Sequence, residues 1–186
     1  MLIEELRKHT AEAHQQVEKI VINRLKNIKQ PADYVHLLNV FYAYFNQLEQ
    51  AIQPYITADI LPDYTERRHA AILAADIGSF GYLSTTALPA SVPPIDSSIK
   101  ALAALYVMEG SIMGGPIIIQ VLARHGIQQG TLFFAGYGAD SKRKWETFTA
   151  ALHKHIPEEH FAVAIATAIV TFTQFAETFK LAASKG

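Results

Sequence analysis

Residues 97–124 read SSIKALAALYVMEGSIMGGPIIIQVLAR. Apolar side chains dominate the stretch, and Asp96 or Ser97 stands where an N-cap acceptor belongs. Gly126 stands just past the end, where a helix C′ residue belongs. The pattern predicts one long helix from about 97 to Arg124. Inside it lie Gly110, Gly114, Gly115 and Pro116. Each interior glycine costs about 1 kcal/mol against alanine, and an interior proline about 3. A kink, close packing against a neighbouring helix, or a break into two helices would each accommodate them. A fourth reading is that something flat must touch this backbone. Gly110 and Gly114 are four apart, so they share one face and form a bare strip. Glycine is the residue found where backbone must approach a ligand closely.

The rest of the chain has the same helical period. Ile3, Leu6, Thr10, Ala13, Val17 and Ile20 recur every three or four residues and predict a helix from about 2 to 29. Pro31 opens the next, with Tyr34, Leu37, Leu38, Phe41, Phe45, Leu48 and Ile52 inward, and Pro54 ends it. A shorter helix is expected from Thr65 to about Ile77. Residues 83–96 hold Pro89, Pro93 and Pro94 and read as a loop; 126–140 are glycine-rich. Asp140 or Ser141 caps a helix carrying Trp145, Phe148 and Leu152. Pro157 opens the last, with Phe161, Ile165, Ile169, Phe172, Phe175 and Phe179 at helical spacing. No stretch alternates as a strand would. The sum is an all-α, single-domain bundle of six to eight helices over 1–186.

Composition narrows the partners. The 186 residues are 50% hydrophobic and 18% charged, with a net charge of −1, so the chain offers nucleic acid no basic face. There is no cysteine, which excludes disulfides, zinc–thiolate sites, iron–sulfur clusters and a thiolate-ligated haem. A cytoplasmic location suits that composition. MLIEELRKHT has no apolar h-region, so it is not expected to be a signal peptide. The longest apolar runs, such as Pro116–Leu122, read as too short or too interrupted to span a bilayer, so no membrane partner is expected.

His14 is the second departure from local rules. On a wheel with Leu6 at zero it falls at about 80°, beside Ile3 and Val21 at about 60°. An imidazole therefore sits at the edge of the inward stripe, with Arg7 two turns earlier on nearly the same face. A half-buried histidine bonded to a neighbour would satisfy this position. Set against the glycine strip, it also suits a planar metal macrocycle, ligated by imidazole on one side. The small residues on the other side would leave a narrow space for a diatomic gas.

The sequence resembles the haem oxygenases of the bacterial, biliverdin-producing type. Leu6-Arg7…Thr10…His14…Val17-Glu18 resembles the family's proximal helix. Leu105-Tyr106-Val107-Met108-Glu109-Gly110-Ser111-Ile112-Met113-Gly114-Gly115 resembles its distal signature. Phe133-Phe134-Ala135-Gly136-Tyr137-Gly138, with Trp145 and Phe148, resembles the segment that follows. The resemblance implies that His14 is the neutral proximal iron ligand and that Gly110, Ser111 and Gly114 line the distal, catalytic face. It implies that Arg7 and Lys144 pair with haem propionates, with Tyr137, Lys142 and Arg143 as further candidates. An ordinary solvated helix start would equally explain Lys142-Arg143-Lys144, although cations in a first turn oppose the helix dipole. Haem would be both cofactor and substrate. Dioxygen and electrons from an external reductant, such as a ferredoxin or flavoprotein, would be consumed. The products would be biliverdin, carbon monoxide and ferrous iron. Animal members have an acid where Ser111 stands, and Pro116 replaces a more usual polar residue; both bear on the distal hydrogen bonds.

Three rivals fit less well. A di-iron carboxylate bundle needs Glu-x-x-His twice, and it occurs once, at Glu66–His69. No histidine pair at i, i+4 suits a zinc helix. Relatives of this fold that hydrolyse thiamin compounds use a cysteine, absent here. The remaining alternative is a haem carrier that binds without turnover.

Overall fold

The structure is a computed structural model and describes residues 1–85 and 87–183, so position 86 of the expected loop lies outside the described residues. Among these residues there are eight α-helices and no strand. They are α1 (Leu2–Lys26), α2 (Pro31–Ile52), α3 (Ala70–Gly78), α4 (Ser98–Gly110), α5 (Gly115–Arg124), α6 (Leu132–Ala135), α7 (Ser141–His155) and α8 (Phe161–Ala183). The chain is an all-α bundle. α8 lies along α1 and α4, α2 packs on α3 and α4, and α5 reaches α1 and α6.

The ends of the elements follow local chemistry. Pro31 starts α2 because its missing N–H costs nothing at N1. Asp33 accepts hydrogen bonds from the amides of Lys29 (2.8 Å) and Gln30 (3.1 Å). Ser97, not Asp96, caps α4, its Oγ accepting from the Lys100 amide. Gly126, at φ +76°, closes α5 in a Schellman turn, with the Ile127 amide donating to the Leu122 carbonyl.

Three of the expected helices differ in their bounds. α1 stops at Lys26, where the Asn27 amide turns back to Arg24. The helix expected from Thr65 starts only at Ala70, because Arg67 and His69 take extended backbone and the Arg67 and Arg68 side chains are buried. Glu49 then fixes the start of α3, accepting from His69 Nδ1 and the Ala70 amide at 2.8 Å each. The long helix at 97–124 is broken: α4 ends at Gly110, Ser111–Gly114 form a 3-10 turn, and α5 begins at Gly115 with Pro116 in its first turn.

The sequence expectation about membranes also needs correction. Ser98–Arg124 and Glu158–Ala183 are long and apolar enough to cross a bilayer, with mean hydropathy 1.6 and 1.4. Their burial inside the bundle, 56% and 44% of those windows, is what a core helix requires of the same composition.

Aromatic rings make the centre. Phe41 meets Phe134, Phe175 and Phe179 edge-on at 5.0–5.8 Å, and Tyr44 stacks on Phe175 at 4.9 Å. The buried Tyr34 and Tyr44 hydroxyls donate to the carbonyls of Gly130 and Thr171 at 2.6 Å, which satisfies them. Asp76 holds α6 in register. Its enclosed carboxylate accepts from the Leu132 and Phe133 amides, and burial pushes its pKa up. Phe133 and Phe134 are thereby set against the back of the α4–α5 junction.

Candidate functional site

Between α1 and the α4–α5 junction lies a cleft of about 510 Å³. Sites for organic cofactors run from about 300 to 1,000 Å³. One wall is α1, through Arg7, Thr10, His14 and Glu18; the other carries Tyr106, Gly110, Ser111 and Gly114. Phe41, Phe45, Phe134, Phe172 and Phe175 close it with apolar surface, and Trp145 reaches it from α7.

The glycines of the junction have different reasons to be there. Gly110 (φ −61°), Gly114 (φ −84°) and Gly115 (φ −54°) all sit in right-handed conformations open to any residue. Backbone freedom therefore explains none of them. A Cβ on Gly115 would lie 1.9 Å from the Phe134 carbonyl oxygen, so α6 demands this glycine. A Cβ on Gly110 or Gly114 would meet nothing within 4 Å. No atom among the described residues accounts for those two, and both line the cleft. They leave bare backbone on one wall, which suits a flat molecule.

His14 is half exposed and opens into the cleft, in keeping with its position at the edge of the stripe. Phe172 meets its ring edge-on at 5.3 Å. Glu18, one turn on, has a carboxylate oxygen 3.6 Å from Nε2. That is beyond a hydrogen bond and leaves the imidazole free to turn between Glu18 and a ligand. Arg7 is exposed in the same wall and has no ion pair among the described residues. Tyr106 lies opposite. Burial raises its pKa, while a hydrogen bond with Thr10 and the charge of Arg7 oppose that rise. Imidazole, cation and phenol thus share one apolar cleft, a donor set that fits a metal macrocycle bearing carboxylates.

The structure brings Arg7, His14, Gly110, Ser111 and Gly114 together and leaves four sequence candidates elsewhere. Lys144 is 5% exposed, with Nζ 2.9 Å from Asp63 and 3.3 Å from Glu66, so its charge is already matched. Tyr137 turns inward and donates to Glu109 at 2.8 Å while accepting from the Arg68 amide. Lys142 and Arg143 are solvated and pair with Glu146 and Asp140 on their own turn. None of the four lines the cleft. For the three cations the reason is geometric: side chains on α7 fan out at about 100° per residue, and Trp145 takes the cleft-facing position.

Behind the distal wall the structure reveals a charged network that sequence reasoning missed. Arg67 pairs with Glu109 at 2.6 Å and with Asp63 at 2.8 Å, all three at most 17% exposed. A carboxylate at 109 within an apolar helical run was the one sequence signal for it. Tyr106 was legible too, since 106, 110 and 114 share a spacing of four. Glu66 and His69 point to different partners, Lys144 and Glu49, and no group of three metal-binding side chains occurs among the described residues.

Comparisons with known proteins agree with this geometry. A family model described as "Heme oxygenase" matches residues 1–181. A search of curated proteins finds no significant match. The crystal structures of the NO- and CO-bound haem oxygenase from Neisseria meningitidis share the fold, with a TM-score of 0.82 over 98% of this chain and 92% of that one, at 17% identity. The match along nearly the whole length of the sequence, on the same helical frame, means that the chain belongs to the haem oxygenase family.

Proposed function

We propose that the chain binds haem in this cleft and opens the ring at a meso carbon, giving biliverdin, carbon monoxide and ferrous iron. The observation that carries the reading is the pairing of a cleft-facing His14 with two glycines, 110 and 114, whose bareness nothing in the protein uses. Bound haem supplies the dioxygen and electron chemistry and is itself the substrate; the electrons come from an external donor such as a ferredoxin or flavoprotein.

The chain's own residues bind, orient and exclude water. His14 would ligate the haem iron, and Glu18 would accept from its other ring nitrogen once the imidazole turns, which would fix the tautomer. Gly110 and Gly114 let backbone lie against the ring. The phenylalanine floor keeps bulk water from the reacting edge. Ser111 contributes less than its position suggests. Its hydroxyl donates to the Met108 carbonyl at 2.7 Å and accepts from Arg68 at 2.7 Å. Towards the cleft it has only an acceptor lone pair left, so it orders a water and does not itself give up a proton.

That commitment of Ser111 favours one second reading, a haem carrier without turnover. Adding ascorbate and air to the haem complex decides between them. An oxygenase loses its Soret band as biliverdin absorption grows; a carrier keeps the band.

Arg7 is the cation left for a propionate. A half-exposed ion pair contributes about 0.2–1 kcal/mol, too little to decide binding but enough to bias in-plane orientation. Arg7→Ala should therefore retain haem and broaden the biliverdin isomer ratio, read by product chromatography. Lys144→Ala should leave that ratio alone. A single unchanged isomer from Arg7→Ala would remove this residue from the orienting role.

A further inference from the structure

Arg68 is 2% exposed and lies directly behind the distal wall. Its two terminal nitrogens donate to the Phe133 carbonyl (2.9 Å), the Met108 carbonyl and Ser111 Oγ (2.7 Å). The guanidinium lies over the Phe133 ring, 4.0 Å from its centroid. Its Nε has no hydrogen-bond partner among the described residues. Nor does any carboxylate among them reach ion-pair distance. Glu109, the nearest in electrostatic effect, is held by Arg67 and Tyr137. Burial pushes the Arg68 pKa down to about 10, so the group is still a cation at neutral pH.

A buried cation without its own counter-ion is costly to keep. Two features suggest what it does. Met108 O belongs to the last turn of α4, where the helix dipole is negative and carbonyls lack helical partners; a cation there completes the end of the helix. Ser111, its other partner, lines the cleft. The positive charge therefore stands one side chain away from the space beside Gly110.

We propose that Arg68 is a positioning residue of the distal wall: it holds the α4–α5 break through Met108 and Ser111, and its charge, which no carboxylate among the described residues pairs directly, makes the distal half of the cleft selective for negatively charged ligands. This rests on the haem reading above. It gives the chain a fixed positive potential where animal relatives carry an acid, and it acts through Ser111 without touching the ligand.

Azide, an anion, and carbon monoxide, a neutral ligand, separate charge from shape. In the ferric haem complex Arg68→Met should weaken azide about tenfold, the size expected for one charge about 12 Å away at an effective dielectric of about 20. Carbon monoxide affinity of the reduced complex should change less than about twofold. Arg68→Lys, which keeps the charge, should recover most of the azide affinity. Glu109→Gln removes the nearest opposing charge and should tighten azide about threefold; it decides the matter if Arg68→Met does not fold. Unchanged azide affinity in whichever variant folds overturns the proposal. So does a parallel loss of azide and carbon monoxide affinity, which would mean a deformed wall only. Soret titration of the same samples reports the haem reading separately: a chain that takes no haem overturns both, and a loaded chain indifferent to Arg68 overturns only this one.

Discussion

His14→Ala should reduce haem turnover by more than about 100-fold, since loss of a ligand's supporting partner alone typically costs about 10–100-fold at a metal site. Fold stability should barely change, because the side chain is half exposed and its main contacts are Glu18 and the edge of Phe172. Weak haem binding should survive, because burial of the ring's apolar surface contributes about 25 cal/mol per Å² whatever the ligand. The measurement is paired: Soret position and band shape for ligation, and thermal melting of the haem-free chain for folding. Added imidazole should restore part of the wild-type spectrum by entering the space the side chain leaves. His9→Ala is the control. It lies on the same helix but pairs with Glu5 outside the cleft, and should change neither reading. A wild-type spectrum from His14→Ala would remove this residue from the axial role.

The parts of this fold written in local pattern were legible before any coordinates. The helix stripes, the Pro31 start, the Ser97 cap and the Gly126 turn depend on residues within a turn or two of each other. His14, Gly110 and Gly114 were legible for the same reason, each being odd within its own helix, and Arg7 because it shares the face of His14. What could not be read was anything decided across the bundle. Lys144 is the clearest instance. Within its helix it is a misplaced cation in a first turn, which invited a charged ligand as explanation. The real partners, Asp63 and Glu66, lie about 80 positions earlier in a segment without periodicity. Arg67 and Arg68 fall in sequence inside the helix expected from Thr65, and only the long-range partners Glu109, Met108 and Phe133 make their burial tolerable. The break at Gly110 was one of several readings of the same glycines. The structure chooses it because Arg68 and Ser111 claim the Met108 carbonyl.

Those glycines yield the sharpest contrast, because three residues within six positions should respond in opposite ways. Gly115→Ala puts a methyl group 1.9 Å from the Phe134 carbonyl oxygen, where neither backbone can give way cheaply. Overpacking of that kind costs about 1–3 kcal/mol. The haem-free chain should melt several degrees lower, since about 1 kcal/mol shifts a domain of this size by about 2–4 °C. In Gly110→Leu and Gly114→Leu the new Cβ meets no atom of the described residues within 4 Å, and replacing glycine in right-handed backbone removes a penalty of about 0.5–1 kcal/mol. Both should melt at or above the wild-type temperature while haem-free. In both, a branched side chain then occupies the bare wall of the cleft, and a displacement of about 1 Å at a reacting centre can cost about 100-fold in rate. Turnover should therefore collapse in the two more stable variants and persist, at reduced temperature, in the less stable one. Melting curves beside single-turnover biliverdin yields test the whole pattern. If Gly110→Leu and Gly114→Leu lose stability together with activity, the strip is a helix-packing device after all; if both keep full turnover, the ring does not lie against it.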